Sequence, residues 1–301
     1  MNKTIPSSDT PMPTTIMRPA PPYPFQHQDR QPGIESLMNP RPVFDNPHYI
    51  GSGKLSGKVA IITGGDSGQG RAIAVAFAKE GADVVIVYLN EHTDAAETKQ
   101  YVEQKGRKCL TVAGDIGSEA FCKQVAEQTM EQFGGIHILV NNAAEQHVRN
   151  NLEDITSEQM ERTFRTNFFS VFYLTKAVLP YLKAGSTIIN SASLTAYEGN
   201  EQLMDYSATK GAIVAFTRSL SKSLLSRSIR VNGVVPGTMW TPLIPASFPE
   251  AQVADWGMKN PMKRAGQPFE VAPAYVYLAS EDSSYVSGQF IHVTGGVVMN
   301  G

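Results

Sequence analysis

A serine, a tyrosine and a lysine stand at a spacing that suits proton transfer to or from a substrate oxygen. Ser193 lies in the run INSAS, and Tyr206 and Lys210 lie in YSATK. Residues four apart project from one face of a helix, so the tyrosine and the lysine would lie side by side. A tyrosine has a pKa of about 10, and a nearby cation lowers it by stabilising the phenolate. Tyr206 is therefore the candidate acid and base, Lys210 its electrostatic partner, and Ser193 the donor that orients the substrate oxygen.

A glycine-rich turn earlier in the chain is suited to hold phosphate groups. The run TGGDSGQGRA follows the apolar run KVAIIT and opens a helix-like segment. Glycines let the backbone turn tightly and approach a pyrophosphate, and a helix N-terminus presents unbonded N–H groups to it. A purely structural turn is the alternative for this motif alone. The residues predicted to form the phosphate cradle are Gly64, Asp66, Ser67, Gly68, Gln69 and Gly70.

These residues must be positioned by the surrounding elements, and those elements alternate in type from Lys58 onward. Seven short apolar runs read as strands: KVAIIT, ADVVIVYL, KCLTVAG, IHILVNN, STIINSA, IRVNGVV and QFIHVTGG. Helix-period segments separate them, including long helices predicted over 157–183 and about 205–226. The alternation predicts βαβ units, and hence an α/β, doubly wound Rossmann-type domain with a seven-stranded parallel sheet. In such sheets ligands bind at the carboxyl ends of the strands.

Composition restricts the class of protein. The chain has 301 residues, a net charge of −2 and two cysteines, and its charges are spread along the sequence. This balance does not indicate a surface for nucleic acid or for a membrane. No apolar run is long enough to span a bilayer, and no secretory signal is evident. Cys109 and Cys122 have no metal or redox spacing, so we expect a cytoplasmic protein in a reducing compartment, and the spacing of the histidines predicts no catalytic metal.

The first part of the chain differs from the rest. Eleven of the 19 prolines lie within the first 47 residues, which excludes helices and central strands there. We divide the chain into a Pro-rich extension, residues 1–50, and an oxidoreductase domain, residues 51–301. A disordered tail is expected over residues 1–20, whereas residues 23–50 are expected to dock on the body or on a neighbouring subunit. Six apolar side chains are the predicted anchors: Tyr23, Phe25, Leu37, Met38, Phe44 and Tyr49.

Together, these motifs resemble the short-chain dehydrogenase/reductase superfamily over roughly residues 55–301. Each motif alone is weak, because a Tyr and a Lys four apart often lie on an ordinary helix surface. In order and spacing, however, the chain has TGxxxGxG, NNAA, a serine thirteen residues before the tyrosine, YxxxK and RVNGVVPGTMWTPL. The extension, with QPGIESLMNPRP, and the run GGDSGQGRA are similar to a bacterial stress-protein subgroup. That subgroup is similar to plant glucose/ribitol dehydrogenase homologues.

The resemblance implies hydride transfer between a nicotinamide cofactor and a secondary alcohol or carbonyl substrate, in a homotetramer. It also implies that Asn167 holds a water relay to Lys210, that Lys210 binds the cofactor ribose, and that Asp115 contacts the adenine amine. Two positions depart from the family pattern: Ala144 replaces a glycine, and Gln69 replaces a branched residue. The further cofactor contacts that it implies are Tyr88, Leu89, Asn90, Asp115, Ile116, Asn142, Ala143, Ala144, Tyr206, Lys210, Pro236, Gly237, Thr238 and Thr241.

The choice between the two nicotinamide cofactors depends on the residues after the second strand. An acid there binds a ribose 2′-hydroxyl, and an arginine accommodates a 2′-phosphate. Tyr88 stands at the family's acidic position and Leu89 follows it. The sequence near them offers no cation, and Asp66 would repel a phosphate. The sequence therefore favours NAD, with NADP as the alternative and a non-catalytic cofactor sensor as a second alternative.

The substrate pocket is predicted to be mixed in character, with apolar residues that form either a lid or part of the core. We leave open whether the substrate is a polyol or sugar, or a small carbonyl compound. The predicted lid residues are Met239, Trp240, Trp256 and Met258, and the predicted polar residues are Glu145, Gln146, His147, Asn200 and Gln202.

Overall fold

The centre of the structure is one parallel β-sheet. The structure is a computed structural model that describes residues 16–299. Its seven strands lie in the order β3-β2-β1-β4-β5-β6-β7, and every neighbouring pair is parallel. This confirms the predicted fold class. The strands are β1 (Val59–Thr63), β2 (Asp83–Tyr88), β3 (Cys109–Ala113), β4 (Ile138–Asn141), β5 (Thr187–Ser191), β6 (Arg230–Pro236) and β7 (Phe290–Val293).

Helices cover both faces of the sheet, which is why the central strands are apolar along their whole length. All residues of β1, β4 and β5 are buried. Helices α1, α2 and α9 pack on one face, and α3, α5 and the end of α7 pack on the other. The helices are α1 (Gly68–Lys79), α2 (His92–Gln104), α3 (Glu119–Phe133), α4 (Ser157–Phe164), α5 (Ser170–Val178), α6 (Thr195–Glu198), α7 (Met204–Leu224), α8 (Glu250–Ala254) and α9 (Pro268–Ala279).

The direction in which the strands are added reverses between β1 and β4. From β1 the chain builds β2 and β3 toward one edge, and it then returns to place β4 on the other side of β1. At such a reversal the connections leave in opposite directions, so a crevice opens at the carboxyl ends of the two strands. Thr63 ends β1 and Asn141 ends β4, and the glycine-rich turn follows directly after β1. The topology therefore places the phosphate cradle at this crevice.

The long helix predicted over 157–183 is interrupted. A π-helical turn, Arg165–Phe169, lies between α4 and α5, and α5 ends at Val178. Pro180 follows the end of α5 and lacks the N–H group that a longer helix needs. A π turn inserts an extra residue into the helix and is frequent at functional sites. Here it contains Asn167, whose side chain is fully buried.

The N-terminal segment, defined as residues 16–50, lies across the body with little regular structure. A 3-10 turn (Glu35–Leu37) is its one helical element in the range that the structure describes. The rings of Tyr23 and Trp240 stack with centroids 3.9 Å apart, and Trp240 Nε1 donates to the Pro40 carbonyl at 2.9 Å. Val43 accepts a backbone hydrogen bond from Phe269. Residues 1–15, which belong to the predicted tail, lie outside the described residues.

The predicted anchors of this segment divide into two groups. Tyr23 and Met38 are buried, Phe44 packs against the core, and the Tyr49 hydroxyl donates to Glu80. Phe25 and Leu37, in contrast, are 70% and 65% exposed. Apolar character therefore did not distinguish the side chains that contact the body from those that face outward.

No helix in the described range is both long enough and apolar enough to cross a membrane.

We expect Tyr23→Ala to lower the free energy of unfolding by about 3 kcal/mol, because a buried ring is lost and a cavity remains against Trp240. Urea unfolding followed by tryptophan fluorescence measures the change. Phe25→Ala is the matched control, since it removes an aromatic ring that is 70% exposed. The control should change the free energy by no more than about 0.5 kcal/mol. Equal effects of the two substitutions would show that Tyr23 does not dock the segment.

Candidate active site

A cleft opens at the carboxyl ends of β1, β2, β3 and β4. It contains about 970 Å³ of open space. Its walls are the glycine-rich turn, the ends of β2 and β3, and the chain that follows β4. Most of the residues predicted to bind the cofactor line it: Gly64, Asp66, Ser67, Gly68, Gln69, Tyr88, Leu89, Asp115, Ile116, Asn142, Ala143, Ala144 and Thr241.

A second cavity of about 850 Å³ adjoins the cleft and contains the proposed catalytic side chains. The two spaces share Gln69, Asn142, Ala144, Thr241 and Leu243, so they form one continuous site. The structure thus brings the glycine-rich turn and the candidate acid and base together. The remaining predicted residues that line the second cavity are Ser193, Tyr206, Lys210, Pro236, Gly237 and Thr238.

Three predicted site residues line neither space. Gly70 lies inside α1, where a side chain would overlap the Gly64 carbonyl oxygen. Asn90 is exposed after the end of β2, and its carbonyl accepts from the backbone N–H of His92. Asn167 lies behind the wall of the site. These residues shape the site from outside rather than face it.

The glycine-rich turn has the geometry of a phosphate cradle. Gly68 has φ +51°, a left-handed conformation that favours glycine, and a Cβ atom there would lie 3.2 Å from Thr241 Cβ across the cleft. The helix α1 begins at this residue, so its N-terminal backbone groups face the same region. Gln69 Oε1 is buried and has no hydrogen-bond partner among residues 16–299. A bound dinucleotide fits here because its ribose hydroxyls can donate to the Gln69 oxygen, whereas the Gly68 N–H is already bonded to the Glu35 carboxylate.

Tyr206 and Lys210 lie on the first turns of α7, with their side chains in the second cavity. Lys210 Nζ donates to the Ser191 carbonyl oxygen at 2.9 Å and lies 5.5 Å from the centroid of the Tyr206 ring. Ser193 lines the same cavity as Tyr206 and lies near enough to its hydroxyl to lower the pKa of that group. Ser193 Oγ also accepts from the backbone N–H of Thr195 at 3.2 Å, which fixes its position. The predicted serine, tyrosine and lysine therefore meet at one place.

The protonation states in this chain alone differ from the sequence-based expectation that Lys210 lowers the pKa of Tyr206. Burial raises the pKa of Tyr206 to about 12, although the nearby Ser193 hydroxyl lowers it. Burial also lowers the pKa of Lys210 to about 7, because the charged ammonium loses its water. Desolvation of both groups thus outweighs the attraction that a charged lysine would exert on a phenolate.

Asn167 fastens the strand end after β4 to α7. Its Oδ1 accepts from the Glu145 backbone N–H at 2.8 Å, and its Nδ2 donates to the Glu145 carbonyl at 2.9 Å. The same Nδ2 donates to Thr209 Oγ1 at 3.2 Å, between Tyr206 and Lys210 on α7. The π turn that carries Asn167 makes these three bonds possible. The water relay to Lys210 stays a prediction.

The predicted substrate residues are only partly brought to the site. Met239, Trp256, Gln146 and Asn200 line the second cavity, and Glu145 lines the cleft, where Arg162 Nε donates to its Oε2 at 3.2 Å. Trp240 lies beneath the wall, fully buried, and Met258 is 46% exposed. His147 and Gln202 line neither space.

Sequence reasoning missed a wall of the cleft that comes from the N-terminal segment. Gln31, Pro32 and Gly33 line the cleft. The QPG run carries no chemical signature of cofactor binding, so nothing in its residue types predicts a place in the cleft. The missed lining residues from the body are Val87, Gly114, Arg162, Thr166, Pro242 and Leu243 in the cleft, and Ser191, Ala192, Leu194, Thr195, Leu203, Leu243, Ile244 and Phe248 in the second cavity.

Known proteins with similar sequences show which family the chain belongs to. A family model described as Enoyl-(Acyl carrier protein) reductase matches residues 64–298. General stress protein 39 of Bacillus subtilis is 60% identical over 91% of this chain and 96% of its own length. Glucose and ribitol dehydrogenase of Daucus carota is 51% identical, covering 93% of this chain and 98% of its own length. NADPH-dependent aldehyde reductase 1, chloroplastic, of Arabidopsis thaliana is 50% identical, and the match covers 91% of this chain and 98% of that protein's own length.

A solved structure gives the same result for the fold. The short chain dehydrogenase from Burkholderia cenocepacia J2315, in complex with NADP, superposes with a TM-score of 0.76 at 29% identity. The match covers 81% of this chain and 98% of that one. Both the family match and the identities extend over most of the sequence, and the glycine-rich turn and the Ser193, Tyr206 and Lys210 cluster lie within it. The chain belongs to the short-chain dehydrogenase/reductase superfamily of oxidoreductases.

Proposed function

We propose that the protein transfers a hydride between a nicotinamide cofactor and a secondary alcohol or carbonyl substrate, with Tyr206 as acid and base. The observation that carries this proposal is the meeting of Ser193, Tyr206 and Lys210 in a cavity continuous with the glycine-rich cleft. A phosphate cradle beside a proton donor is the arrangement that cofactor-dependent alcohol chemistry needs.

Ser193, Tyr206 and Lys210 each have a separate role in proton transfer. Ser193 and Tyr206 line the same cavity, so the serine hydroxyl is placed to orient a substrate oxygen against the tyrosine. Tyr206 then donates its proton to that oxygen in reduction, or accepts one in oxidation. Lys210 is held by the Ser191 carbonyl on the same side, where a positive charge favours phenolate. A bound nicotinamide cofactor supplies or accepts the hydride.

Burial of Tyr206 favours its role as an acid. With a pKa of about 12, the hydroxyl carries its proton at neutral pH. Reduction of a carbonyl uses a protonated tyrosine, so the chain without cofactor is already in the form that direction requires. Oxidation of an alcohol needs the phenolate, and hence additional positive charge near the ring.

The substrates that fit best are small alcohols, sugars or aldehydes. The second cavity combines the apolar side chains of Met239, Phe248 and Trp256 with the amides of Gln146 and Asn200. The names of two relatives, glucose and ribitol dehydrogenase and aldehyde reductase, support the same range. A non-catalytic cofactor sensor remains the alternative, but a sensor has no need for the assembled Ser193, Tyr206 and Lys210.

The choice between NAD and NADP has support on both sides. The preference for NAD predicted from the sequence depends on Leu89 at the end of β2 and on Asp66 in the cradle. Burial raises the pKa of Asp66 to about 6 despite the hydrogen bond from Ser67, so at neutral pH most of this carboxyl carries its charge. A relative and a solved structure, however, carry NADPH and NADP in their names. These names make NADP the second candidate beside NAD.

The location and the assembly are further parts of the proposal. Cys109 and Cys122 are both buried free thiols, which supports the cytoplasmic compartment.

A homotetramer is supported by an aromatic patch on the outer faces of the π turn, α5 and α7, formed by Phe168, Phe172 and Phe216. Phe172 is 46% exposed in one chain, and helices that are apolar on a second side are usually covered there.

We expect Tyr206→Phe to reduce turnover at least a hundredfold while the affinity for the reduced cofactor changes little. The substitution removes only the proton that the reaction exchanges. Turnover is followed at 340 nm with a panel of alcohols, sugars and aldehydes, and affinity by cofactor fluorescence. Tyr197→Phe is the matched control, because this hydroxyl lies outside both cavity linings. Near wild-type turnover of Tyr206→Phe would refute the mechanism.

We expect the stability gained by Lys210→Met over wild type to decrease as the pH rises. The pKa of Lys210 is about 7 in the folded chain and 10.5 as a free side chain. The folded state thus bears the full cost of the buried charge below pH 7, and the cost falls as the pH approaches 10.5. Between pH 6 and pH 8.5, the difference in the free energy of unfolding between Lys210→Met and wild type should decrease by about 2 kcal/mol.

Urea unfolding of both proteins at the two pH values measures this gap. Lys222→Met is the control, since it lies at an exposed position of the same helix. A gap for Lys210→Met that does not change with pH would show that the buried ammonium has no such cost.

We expect Phe172→Asp to lower the assembly below a tetramer, because a charge would have to be buried in the apolar contact. Light scattering measures the mass. Phe25→Asp, at an exposed position outside the patch, should leave the mass unchanged. A Phe172→Asp protein that keeps the wild-type mass would place the interface elsewhere.

A further inference from the structure

The N-terminal segment brings a cation to the end of β2, where the sequence near Leu89 offers none. The Arg30 guanidinium pairs with the carboxylate of Glu91, which immediately precedes α2. Arg30 Nε also donates to the Pro32 carbonyl at 3.1 Å. Both Pro32 and Leu89 line the cleft. The guanidinium is therefore held between a wall residue of the cleft and the loop that follows β2.

The segment crosses the cleft in close contact with its opposite wall. Gly33 lies so near the Pro242 carbonyl oxygen that a side chain there would overlap it. The Gln31 side-chain amide donates to the Gln146 carbonyl. Residues 31–33 thus run from the end of β2 toward the loop after β6, and the cleft is incomplete without them.

Arg30 lies in a loop that is closed at both ends. Gln28 accepts from the Ile34 backbone N–H at 2.7 Å and donates to the Ile34 carbonyl at 2.9 Å. Next in the chain, the carboxylate of Glu35 accepts from the Gly68 backbone N–H at 2.6 Å and pairs with Arg71 at 2.7 Å. Glu35 and Arg71 are both fully buried. These bonds fix the position of Arg30 relative to the glycine-rich turn.

The residues at the end of β2 decide which ribose substituent is bound. A carboxylate accepts a hydrogen bond from a 2′-hydroxyl, whereas an arginine binds a 2′-phosphate with its planar, always charged fork. Glu91 and Arg30 offer both possibilities at one place. The Arg30 side chain is 43% exposed and that of Glu91 10%, so the arginine is the more open member of the pair, and it adjoins the cleft through Pro32 rather than lining it.

We propose that Arg30 binds the 2′-phosphate of NADP(H), so that the N-terminal segment forms part of the cofactor site and sets the preference for NADP over NAD. The proposal rests on the proposed function, because it requires a nicotinamide dinucleotide in the cleft. It replaces the preference for NAD derived from the residues near Leu89. That preference considered only residues adjacent in sequence, and the cation comes from a distant part of the chain.

The test is direct binding of NADPH and NADH, measured by cofactor fluorescence without substrate. Wild type should bind NADPH more tightly than NADH. Arg30→Gln should weaken NADPH binding at least tenfold and change NADH binding less than twofold. Arg30→Lys, which keeps the charge but loses the fork, should fall between wild type and Arg30→Gln for NADPH. Arg18→Gln is the matched control, since Arg18 also belongs to the segment and pairs with a carboxylate, Glu270.

The ratio of the two affinities separates the possible failures. A variant whose cleft is disturbed as a whole would lose NADH and NADPH equally, and that result would overturn the proposal. Tighter binding of NADH than NADPH by wild type would also overturn it, while the proposed oxidoreductase function would stand. If wild type binds neither cofactor, the proposed function itself fails.

Discussion

The charge of Arg71 is completely buried, and the arrangement around the cofactor cleft depends on how it is satisfied. Its guanidinium pairs with Glu35 at 2.7 Å and with Glu97 of α2 at 2.8 Å. It also donates to the carbonyl of Asp66 at 3.0 Å and to Thr98 at 2.9 Å. One side chain therefore joins the glycine-rich turn, α2 and the N-terminal segment. A buried charge that loses a partner destabilises a protein by about 3–5 kcal/mol, so separating these three parts would lower the stability by a similar amount.

A second polar network fixes the catalytic helix to the sheet. Asn141 of β4 donates to Asn190 of β5 at 2.9 Å, and Asn190 donates to Thr217 of α7 at 2.8 Å. These groups are buried, so each lost bond would leave an unpaired polar atom in the core. The network sets where α7 lies relative to the strand ends. The helix can then hold Lys210 in a position that burial alone disfavours.

The sequence predicted the sheet because apolar runs are a local pattern, whereas most residues of the candidate site were assigned through the resemblance to the superfamily. The apolar runs require a sheet covered on both faces, and the order of the motifs follows from where strands end. The π turn at Asn167 was not predictable, because a π turn has no distinct periodicity. The burial of Arg71 was also not predictable, since an arginine in the first turn of a helix is usually solvated. The wall formed by residues 31–33 was not predicted, because it depends on contacts between parts of the chain that no spacing rule connects.

The contacts of the N-terminal segment have a consequence for the order in which the chain can fold during synthesis. Tyr23 contacts Trp240, and the Val43 carbonyl accepts from Phe269. The segment leaves the ribosome before the body does, yet several of its partners belong to the last third of the chain. Contacts of such sequence separation form late, because the loop between them must be closed first. A segment that is made before the body is therefore among the last parts to be fixed, and it completes the cleft only after α8 and α9 have taken their places.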